Sequence, residues 1–298
     1  MTITILSAGI TVIEDSGRDE YRHLGVPVSG AFDKLSYACA CNLINETNAP
    51  VFEILRGPFQ LITDAAILLC VVGDARVSID GAVSSVNSVF VLDPNKSLSV
   101  TPIIDAPVYL AIKGLLAPAV LGSASHDTLS NLGPSPLIDA DSFETKELNR
   151  SDPAIGSFIS TLPKSVTTEL RYVAGPHSLD VAGSWKVESI ARSGARLSSP
   201  QPLQNSASAL ASFPVMPGAI QVPPSGLPVI LGPDCGVTGG YPVAGVVIDA
   251  DLHKLARLST GTSISLIPVT REQAAQAYSA LAKAITSAIT RPSDLGSW

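Results

Sequence analysis

The stretch 218–242 holds the polar side chains whose types and spacing are best suited to chemistry in this chain. Within it, two short apolar runs of strand length are bounded by glycines and prolines, which favour tight and rigid turns. Rigid loops that present a few polar side chains at strand ends are a common way to build a binding cleft. We therefore predict a cleft here, with the tight turns of an ordinary β protein as the alternative. The polar groups of the stretch are Gln221, Ser225, Asp234, Thr238 and Tyr241.

Charged side chains outside this stretch could serve the same cleft. Glu53 shares the apolar face of a predicted strand, and a carboxylate that faces a core needs a cation or hydrogen-bond donors. Arg18 or Arg56 could be that cation, and a face open to solvent is the equal alternative. Arg192 and Arg196 lie on either side of a glycine, which predicts either an anion clamp or a solvated turn.

Composition and charge exclude several classes of protein. The chain has 298 residues, of which 46% are hydrophobic and 15% charged, so it is long enough for a substantial core. The net charge of −7 argues against nucleic acid and against an anionic membrane surface as partners. The first residues lack a basic leader, and no apolar run has the length of a bilayer. We expect a soluble, cytoplasmic protein.

The four cysteines do not form a metal or redox motif. No two of them have C-x-x-C spacing, and three lie in apolar surroundings, which predicts reduced, buried side chains. Cys235 follows Asp234 within the stretch described above, so a catalytic thiol is the alternative at that position. No set of metal ligands is predicted.

Turn residues and apolar periodicity predict a fold that is mainly β with a few helices. The 23 glycines and 23 prolines are spread along the chain, as in proteins with many short strands. Residues 1–115 form a predicted N-terminal β-rich lobe that contains a meander over 59–112 and one helix capped by Asp33. Residues 116–168 are a predicted loop-rich connection. Residues 169–290 form a predicted C-terminal β lobe with an Ala-rich terminal helix, followed by a tail over 291–298.

Three stretches of the sequence together resemble a known family. The first reads Glu14-Asp15-x-Gly17-Arg18, followed by Gly25-Val26-Pro27-x-Ser29-Gly30-Ala31-x-Asp33. The second runs from Asn42-Leu43-x-Asn45 to Pro50-x-x-Glu53-x-x-x-Gly57-Pro58. The third reads Ile220-Gln221-Val222-Pro223-Pro224-x-Gly226-x-Pro228, then Asp234-x-x-x-Thr238-Gly239-Gly240-Tyr241-Pro242 and Asp249-x-Asp251-Leu252. This pattern resembles allophanate hydrolase subunit 2, also called the KipA-like or carboxyltransferase subdomain A/B family, over about residues 1–290.

The resemblance implies a fold, partners and two alternative reactions. The family includes the C-type subunit of bacterial 5-oxoprolinase and half of the carboxyltransferase domain of urea carboxylase, and it implies two cyclophilin-like β-barrel lobes. It also implies a partner of the KipI-like or allophanate hydrolase subunit 1 type, with a LamB/YcsF-type protein as a third component. The complex either opens 5-oxoproline with ATP or moves carboxylate from carboxybiotin to an amide. A KipA-like protein that only binds a KipI-like inhibitor of a kinase is the non-catalytic alternative.

Of the two reactions, the sequence favours the 5-oxoprolinase type. The chain contains no Met-Lys pair and hence no biotin-carrier segment, so biotin belongs only to the alternative. We expect ATP to be used by the complex and assign no cofactor to this chain alone.

The chain departs from the family pattern at several positions. Glu14 stands where the family usually has glutamine, and Ala124 stands where it usually has an arginine. The usual Asn/Asp-Arg-Met-Gly run begins here with Ala191 and contains Ser193. The alanine at 124 removes one expected contact to an anion.

The resemblance and the residues together predict a site shared by the two lobes. Backbone N–H groups of Gly239 and Gly240, with the Arg196 guanidinium, are expected to stabilise a developing oxyanion. Glu53 or Asp234 is expected to move the proton. The predicted catalytic residues are Asp234, Glu53 and Arg196, and the predicted substrate-binding residues are Arg18, Asp33, Gln221, Thr238, Gly239, Gly240 and Tyr241.

Overall fold

The computed structural model describes residues 1–160, 168–204 and 210–295, and it confirms a mainly β protein with few helices. Within these ranges, no helix combines the length and the apolar character that a bilayer crossing requires. The first twelve strands are β1 (Thr2–Ser7), β2 (Ile10–Glu14), β3 (Val51–Arg56), β4 (Phe59–Thr63), β5 (Ile67–Val72), β6 (Ala75–Ile79), β7 (Ala82–Ser84), β8 (Val89–Leu92), β9 (Ser97–Pro102), β10 (Val108–Ile112), β11 (Leu115–Leu116) and β12 (Ser142–Thr145). The later strands are β13 (Phe158–Ile159), β14 (Glu169–Ala174), β15 (Gly183–Ala191), β16 (Gly194–Ser198), β17 (Phe213–Pro214), β18 (Ala219–Gln221), β19 (Val229–Leu231), β20 (Thr238–Gly239), β21 (Val243–Val247), β22 (Ser263–Pro268) and β23 (Ile289–Thr290). The helices are α1 (Lys34–Leu43), α2 (Asp249–Leu255) and α3 (Arg271–Ala288), with 3₁₀ turns at Asp19–Leu24 and Pro292–Leu295.

The N-terminal lobe consists of two antiparallel sheets that share one core. Seven strands pair in the order β11-β12-β1-β4-β9-β6-β7, and five pair in the order β2-β3-β10-β5-β8. Alternate apolar side chains of both sheets, such as Ile5, Phe52, Leu61 and Leu110, meet in a single buried cluster. The alternation of side chains along each strand is therefore what closes this lobe.

Helix α1 covers the outer face of the five-stranded sheet. Its buried side chains form a second cluster with Leu68, Cys70 and Tyr109 from β5 and β10. Because apolar surface lies on both faces, all six residues of β5 are buried, and the strand reads as a continuous apolar run. The predicted cap is confirmed, since Asp33 Oδ1 accepts from the Ser36 N–H at 3.0 Å.

The C-terminal lobe is a closed barrel in the order β14-β21-β18-β19-β16-β15-β22. The barrel closes through parallel pairing of β14 with β22, and its interior holds Leu170, Val187, Ile220 and Ile230. Helix α2 lies between β21 and β22, and helix α3 follows the barrel with a Thr270 capping box. The boundaries predicted at 115, 168 and 290 stay a prediction, and β12 of the predicted connection pairs with β1 of the first sheet.

The two lobes are joined by an apolar anchor and by backbone bonds. Phe32, which precedes α1, is 9% exposed and belongs to the same buried cluster as the barrel interior and α2. The Ser29 N–H donates to the Pro233 carbonyl at 3.1 Å, which ties the first lobe to the segment after β19. This junction brings residues far apart in sequence to one place.

Replacement of Phe32 by alanine is expected to lower the free energy of unfolding by about 3 kcal/mol, because it removes a buried aromatic ring and leaves a cavity. Urea denaturation followed by fluorescence measures this change. The exposed aromatic Tyr278 in α3 supplies the control, since Tyr278→Ala removes a side chain that is 59% exposed. Equal destabilisation by the two variants would contradict a role for Phe32 as the anchor of the lobes.

Candidate functional site: a buried arginine between the lobes

Arg192 occupies the centre of the junction between the lobes. It lies in the turn between β15 and β16, and its side chain is 5% exposed. Gly232 allows the neighbouring segment to approach this turn, because a Cβ at that position would lie 2.1 Å from the Arg192 carbonyl oxygen. From this turn the guanidinium group extends to the first lobe, where it donates to the Gly30 carbonyl at 2.8 Å.

Glu53 is the first carboxylate that Arg192 contacts. Arg192 Nη1 donates to Glu53 Oε1 at 2.6 Å, while Glu53 Oε2 accepts from the Phe32 N–H at 2.9 Å and the Tyr109 hydroxyl at 2.7 Å. Burial and the facing Glu53 carboxylate raise the pKa of Tyr109 well above its ordinary value, so this hydroxyl remains a donor. The cation for Glu53 is therefore Arg192, and neither Arg18 nor Arg56 has that role.

Asp234 is the second carboxylate, and it enters from the barrel lobe. Its oxygens accept from Arg192 Nε at 2.8 Å and Nη2 at 2.9 Å, which is a bidentate arrangement. Asp234 Oδ2 also accepts from the Thr128 hydroxyl at 2.7 Å and the Thr128 N–H at 3.1 Å. Asp234 is completely buried, so its oxygens serve the junction and do not face solvent.

Glu14, at the end of β2, is the third carboxyl group and was not predicted as a site residue. It is completely buried, and its Oε1 lies 3.1 Å from Arg192 Nη2. Burial raises the pKa of Glu14 well above its ordinary value, Arg192 opposes this shift, and Glu53 and Asp234 add to it. The signal in the sequence was the glutamate at a position where the resembled family usually has glutamine. We call Arg192, Glu14, Glu53 and Asp234 the junction cluster.

The three carboxyl groups also decide the charge of the arginine. Burial alone disfavours a charged guanidinium, yet the negative charge of the facing carboxyl groups, Glu53 foremost, outweighs it and holds the pKa of Arg192 well above its ordinary value. A cation fixed in this way between two lobes resists separation of its partners.

Arg18 belongs to a neighbouring network of neutral acceptors. It is 3% exposed, its Nη2 donates to the Ser125 carbonyl, and its Nη1 lies 3.5 Å from the Ser29 hydroxyl. Beside it, Asp15 accepts from the Ser123 hydroxyl at 2.6 Å and from the Ala124 N–H at 2.7 Å. Residue 124 thus contributes a backbone hydrogen bond to the fold, and this bond does not depend on its side chain.

Asp33 lies in a separate ion-paired group at the junction. Its carboxylate caps α1 and also contacts Arg257 Nη1 at 3.3 Å, and the same guanidinium contacts Asp74. The nearby His253 is buried, and burial lowers its pKa although Asp33 opposes the shift. Asp33 therefore supports the junction at a second point and does not contact Asp234.

Four of the other predicted substrate-binding residues, Thr238 to Tyr241, lie together in a surface strip outside the barrel wall, and the fifth, Gln221, is buried on barrel strand β18. Strand β20 carries Thr238 and Gly239 and pairs with Phe213 and Pro214 of β17. The exposed fraction of Tyr241 is 42%, and Gly240 is partly exposed. We call residues 238–241 with Gln221 the glycine strip.

Within the glycine strip, Gln221 lies beneath residues 238–241 and has an unused donor. Its Nε2 is buried and has no hydrogen-bond partner among the described residues. Gly239 crosses directly over the amide, because a Cβ there would lie 2.3 Å from Nε2. Beside it, the ring of His177 packs on Phe213 with centroids 5.5 Å apart, and His177 Nδ1 accepts from the Val243 N–H at 3.0 Å. This contact leaves the N–H of the imidazole on Nε2.

Two further side chains that the sequence offered for chemistry, Arg196 and Cys235, are not part of the junction cluster. Arg196 is exposed on β16 between Val229 and Ser189, and the structure does not bring it to Glu53 or Asp234. Burial raises the pKa of the Cys235 thiol to about 11, which disfavours the thiolate that a nucleophile requires. Across the described ranges, His, Cys, Asp and Glu side chains form no group of three arranged to hold a metal ion.

Removal of the Arg192 guanidinium is expected to destabilise the protein strongly, because Glu53 and Asp234 would stay buried without their cation. Arg192→Met should lower the free energy of unfolding by about 3–5 kcal/mol. Arg196→Met, four residues away and exposed, should change it by about 0.5 kcal/mol or less. Urea denaturation of the two variants measures the difference, and similar values for both would refute the central position of Arg192.

Comparison with known proteins places this architecture in a family. The family model described as "Carboxyltransferase domain, subdomain A and B" matches residues 24–268. The C-type subunit of 5-oxoprolinase from Escherichia coli is 29% identical, over 92% of this chain and 94% of that protein. The protein of the same name from Haemophilus influenzae is 28% identical over 89% of this chain and 90% of that protein. Urea amidolyase of Saccharomyces cerevisiae is 28% identical over 91% of this chain, which corresponds to 17% of the yeast protein.

Solved structures agree with the sequence comparison. The crystal structure of TTHA0988 superposes with a TM-score of 0.80 and 27% identity, over 89% of this chain and 55% of that chain. The Kluyveromyces lactis urea amidolyase superposes with a TM-score of 0.82 and 25% identity, over 96% of this chain and 20% of that chain. The chain thus spans about half of the first structure and a fifth of the second. By its sequence and by its two-lobed architecture, this chain belongs to the carboxyltransferase domain family with subdomains A and B.

Proposed function

We propose that this chain is the C-type subunit of a multi-component enzyme that opens a cyclic amide, with 5-oxoproline as the substrate and ATP as the energy source. The observation that carries the proposal is the mutual coverage with the C-type subunit of E. coli 5-oxoprolinase, which extends over 92% of this chain and 94% of that protein. In urea amidolyase the matching segment is 17% of a longer protein. Because the match extends over nearly all of the C-type subunit, it favours the oxoprolinase assembly.

In this proposal the glycine strip binds the amide carbonyl. The unused Gln221 Nε2–H is a neutral donor, which suits an oxygen whose negative charge grows during attack. We assign the same role to the backbone N–H of Gly240, and to that of Gly239 only if it leaves its pairing with Phe213. Thr238 and Tyr241 flank these donors on the exposed side. The strip is partly open, so a partner protein completes the site in the assembled enzyme.

The junction cluster positions the strip and does not itself transfer protons. Glu53 and Asp234 are completely buried, and their oxygens already accept from Arg192, Tyr109 and Thr128. Asp234 begins the segment that leads to Thr238, so a fixed Asp234 fixes the start of that loop. Arg196 points to solvent on the barrel wall and is available to a partner or to a substrate that the partner delivers.

A carboxyltransferase is the second candidate, and specific observations support it. The matching family carries that description, and the K. lactis urea amidolyase superposes with a TM-score of 0.82. In this role the same donors would hold an amide while carboxylate arrives from carboxybiotin on a separate carrier protein. The two candidates share the strip and differ in the partner.

Reconstitution distinguishes the candidates. The chain is co-expressed with the products of adjacent genes, in particular a KipI-like protein and a LamB/YcsF-type protein, and the purified complex is assayed for ATP-dependent release of glutamate from 5-oxoproline. Turnover that requires this chain supports the proposal. Biotin-dependent carboxylation of an amide would favour the second candidate, and a stable complex without either activity would leave a binding module.

Two substitutions in the glycine strip are expected to lower kcat of the reconstituted complex. Gln221→Leu removes a donor and should reduce kcat by about a hundredfold. Gly239→Ala should have a similar effect, because its Cβ would displace the Gln221 amide. The matched control is Gly236→Ala, whose Cβ meets nothing closer than 3.6 Å. Unchanged kcat in Gln221→Leu, with the complex intact by gel filtration, would contradict the role of the strip.

A further inference from the structure

The junction cluster has three carboxyl groups and one guanidinium, and the hydrogen atoms of that guanidinium are nearly all used. Arg192 Nε donates to Asp234 Oδ2, and Nη1 donates to Glu53 Oε1. The two hydrogens of Nη2 are taken by the Gly30 carbonyl at 2.8 Å and by Asp234 Oδ1 at 2.9 Å. Glu14 Oε1 lies 3.1 Å from this same Nη2, which has no third hydrogen to give.

The three carboxyl groups therefore differ in the number of hydrogen bonds that their oxygens accept. Glu53 and Asp234 accept hydrogen bonds on both oxygens, as ionised carboxylates do. Both oxygens of Glu14 are buried without a hydrogen-bond partner among the described residues. The Ser125 hydroxyl is beside Glu14, but it donates to Asp15 Oδ1 at 2.6 Å. An ionised Glu14 would be a buried anion without a hydrogen bond, and it would share Arg192 with two other anions.

The groups that act on Glu14 come from both lobes. Glu53 lies on β3, and Tyr109 on β10 donates to Glu53. Arg192 and Asp234 come from the barrel lobe, and Ser125 comes from the segment that follows β11. Of these groups only Arg192 is a cation, and two anions already share it.

We propose that Glu14 is held as a neutral carboxylic acid and that its proton controls the junction, so that loss of this proton loosens the contact between the lobes. The proposal goes beyond the proposed function and does not depend on it. Ionisation would place a third negative charge against Glu53 and Asp234 at the point where Arg192 ties both lobes. The adjacent contacts to loosen first are Ser29 N–H to Pro233 and Arg192 to Gly30.

The direction of the pH effect follows from the raised pKa of Glu14. The ordinary pKa of a glutamate side chain is 4.5, and the unfolded chain releases the Glu14 proton near that pH. The folded protein keeps the proton at higher pH, because its Glu14 pKa is raised. The folded state thus binds more protons, and the contribution of Glu14 to stability is lost as pH rises toward the folded pKa. Within that window, the folding equilibrium constant falls by up to about tenfold per pH unit for one proton.

The test compares the wild type with Glu14→Gln, which mimics the neutral acid. The comparison runs from about pH 5 to about pH 9, which is from just above the ordinary titration of carboxyl groups to that of thiols. We expect the folding equilibrium constant of Glu14→Gln, divided by that of the wild type, to increase as pH rises, by up to about tenfold per pH unit. Both constants are measured by urea denaturation. Glu188→Gln on exposed β15 is the matched control and should keep the wild-type pH dependence. Glu53→Gln should be destabilised, because the change removes the carboxylate that Arg192 Nη1 contacts at 2.6 Å.

Two further measurements keep the proposal open to refutation even if Glu14→Gln folds poorly. Infrared spectroscopy of the wild type near neutral pH should show a protonated carboxyl band, and hydrogen exchange at Ser29 should accelerate with pH beyond the intrinsic rate. A ratio of folding constants that does not change with pH would overturn the proposal. So would the absence of the protonated band, or an acceleration at Ser29 that matches the intrinsic rate alone.

Discussion

The structure depends on one buried cation that faces more carboxyl groups than it can neutralise. Arg192 joins Glu53 of the first lobe to Asp234 of the second, with Glu14 beside them. A guanidinium is suited to this position because its planar fork donates in several directions at once. Since each carboxylate would be left as an uncompensated charge without it, the junction holds together only as a set. The relative placement of the lobes follows from this constraint.

The same constraint connects the interior to the surface that we assign to ligand binding. Asp234 is fixed by Arg192 and Thr128, and the chain then continues within four residues to Thr238. Close packing of Gly239 over Gln221 fixes the other end, at the barrel wall. A loop that is held at both ends keeps its donors in place without an ordered ligand, which reduces the cost of organisation during binding. Stability and binding are therefore coupled through a few buried contacts.

Local features of the fold could be predicted from the sequence, whereas the pairing of the charged groups could not. Glycine and proline spacing indicated a mainly β chain, Asp33 was recognised as a helix cap, and the family motifs indicated two lobes. The site itself stays a prediction, and the structure gives the positions of its residues. Glu53 and Asp234 do lie together, but the arginine between them is Arg192, and Arg196 lies on the surface. Alternation along β15 and the following turn cannot show which of two nearby arginines points inward.

The sequence by itself determined the family, the strand-rich character and the residue types available for chemistry, because these depend on local composition, periodicity and motif spacing. Only the tertiary structure decided that Glu14, Glu53 and Asp234 share one guanidinium, since these residues come from separate strands and loops up to 220 positions apart. It also decided which of them lacks donors. The physical reason is that burial and hydrogen-bond satisfaction are properties of the assembled junction. There, both hydrogens of Arg192 Nη2, the nitrogen that Glu14 faces, are already donated to Gly30 and Asp234.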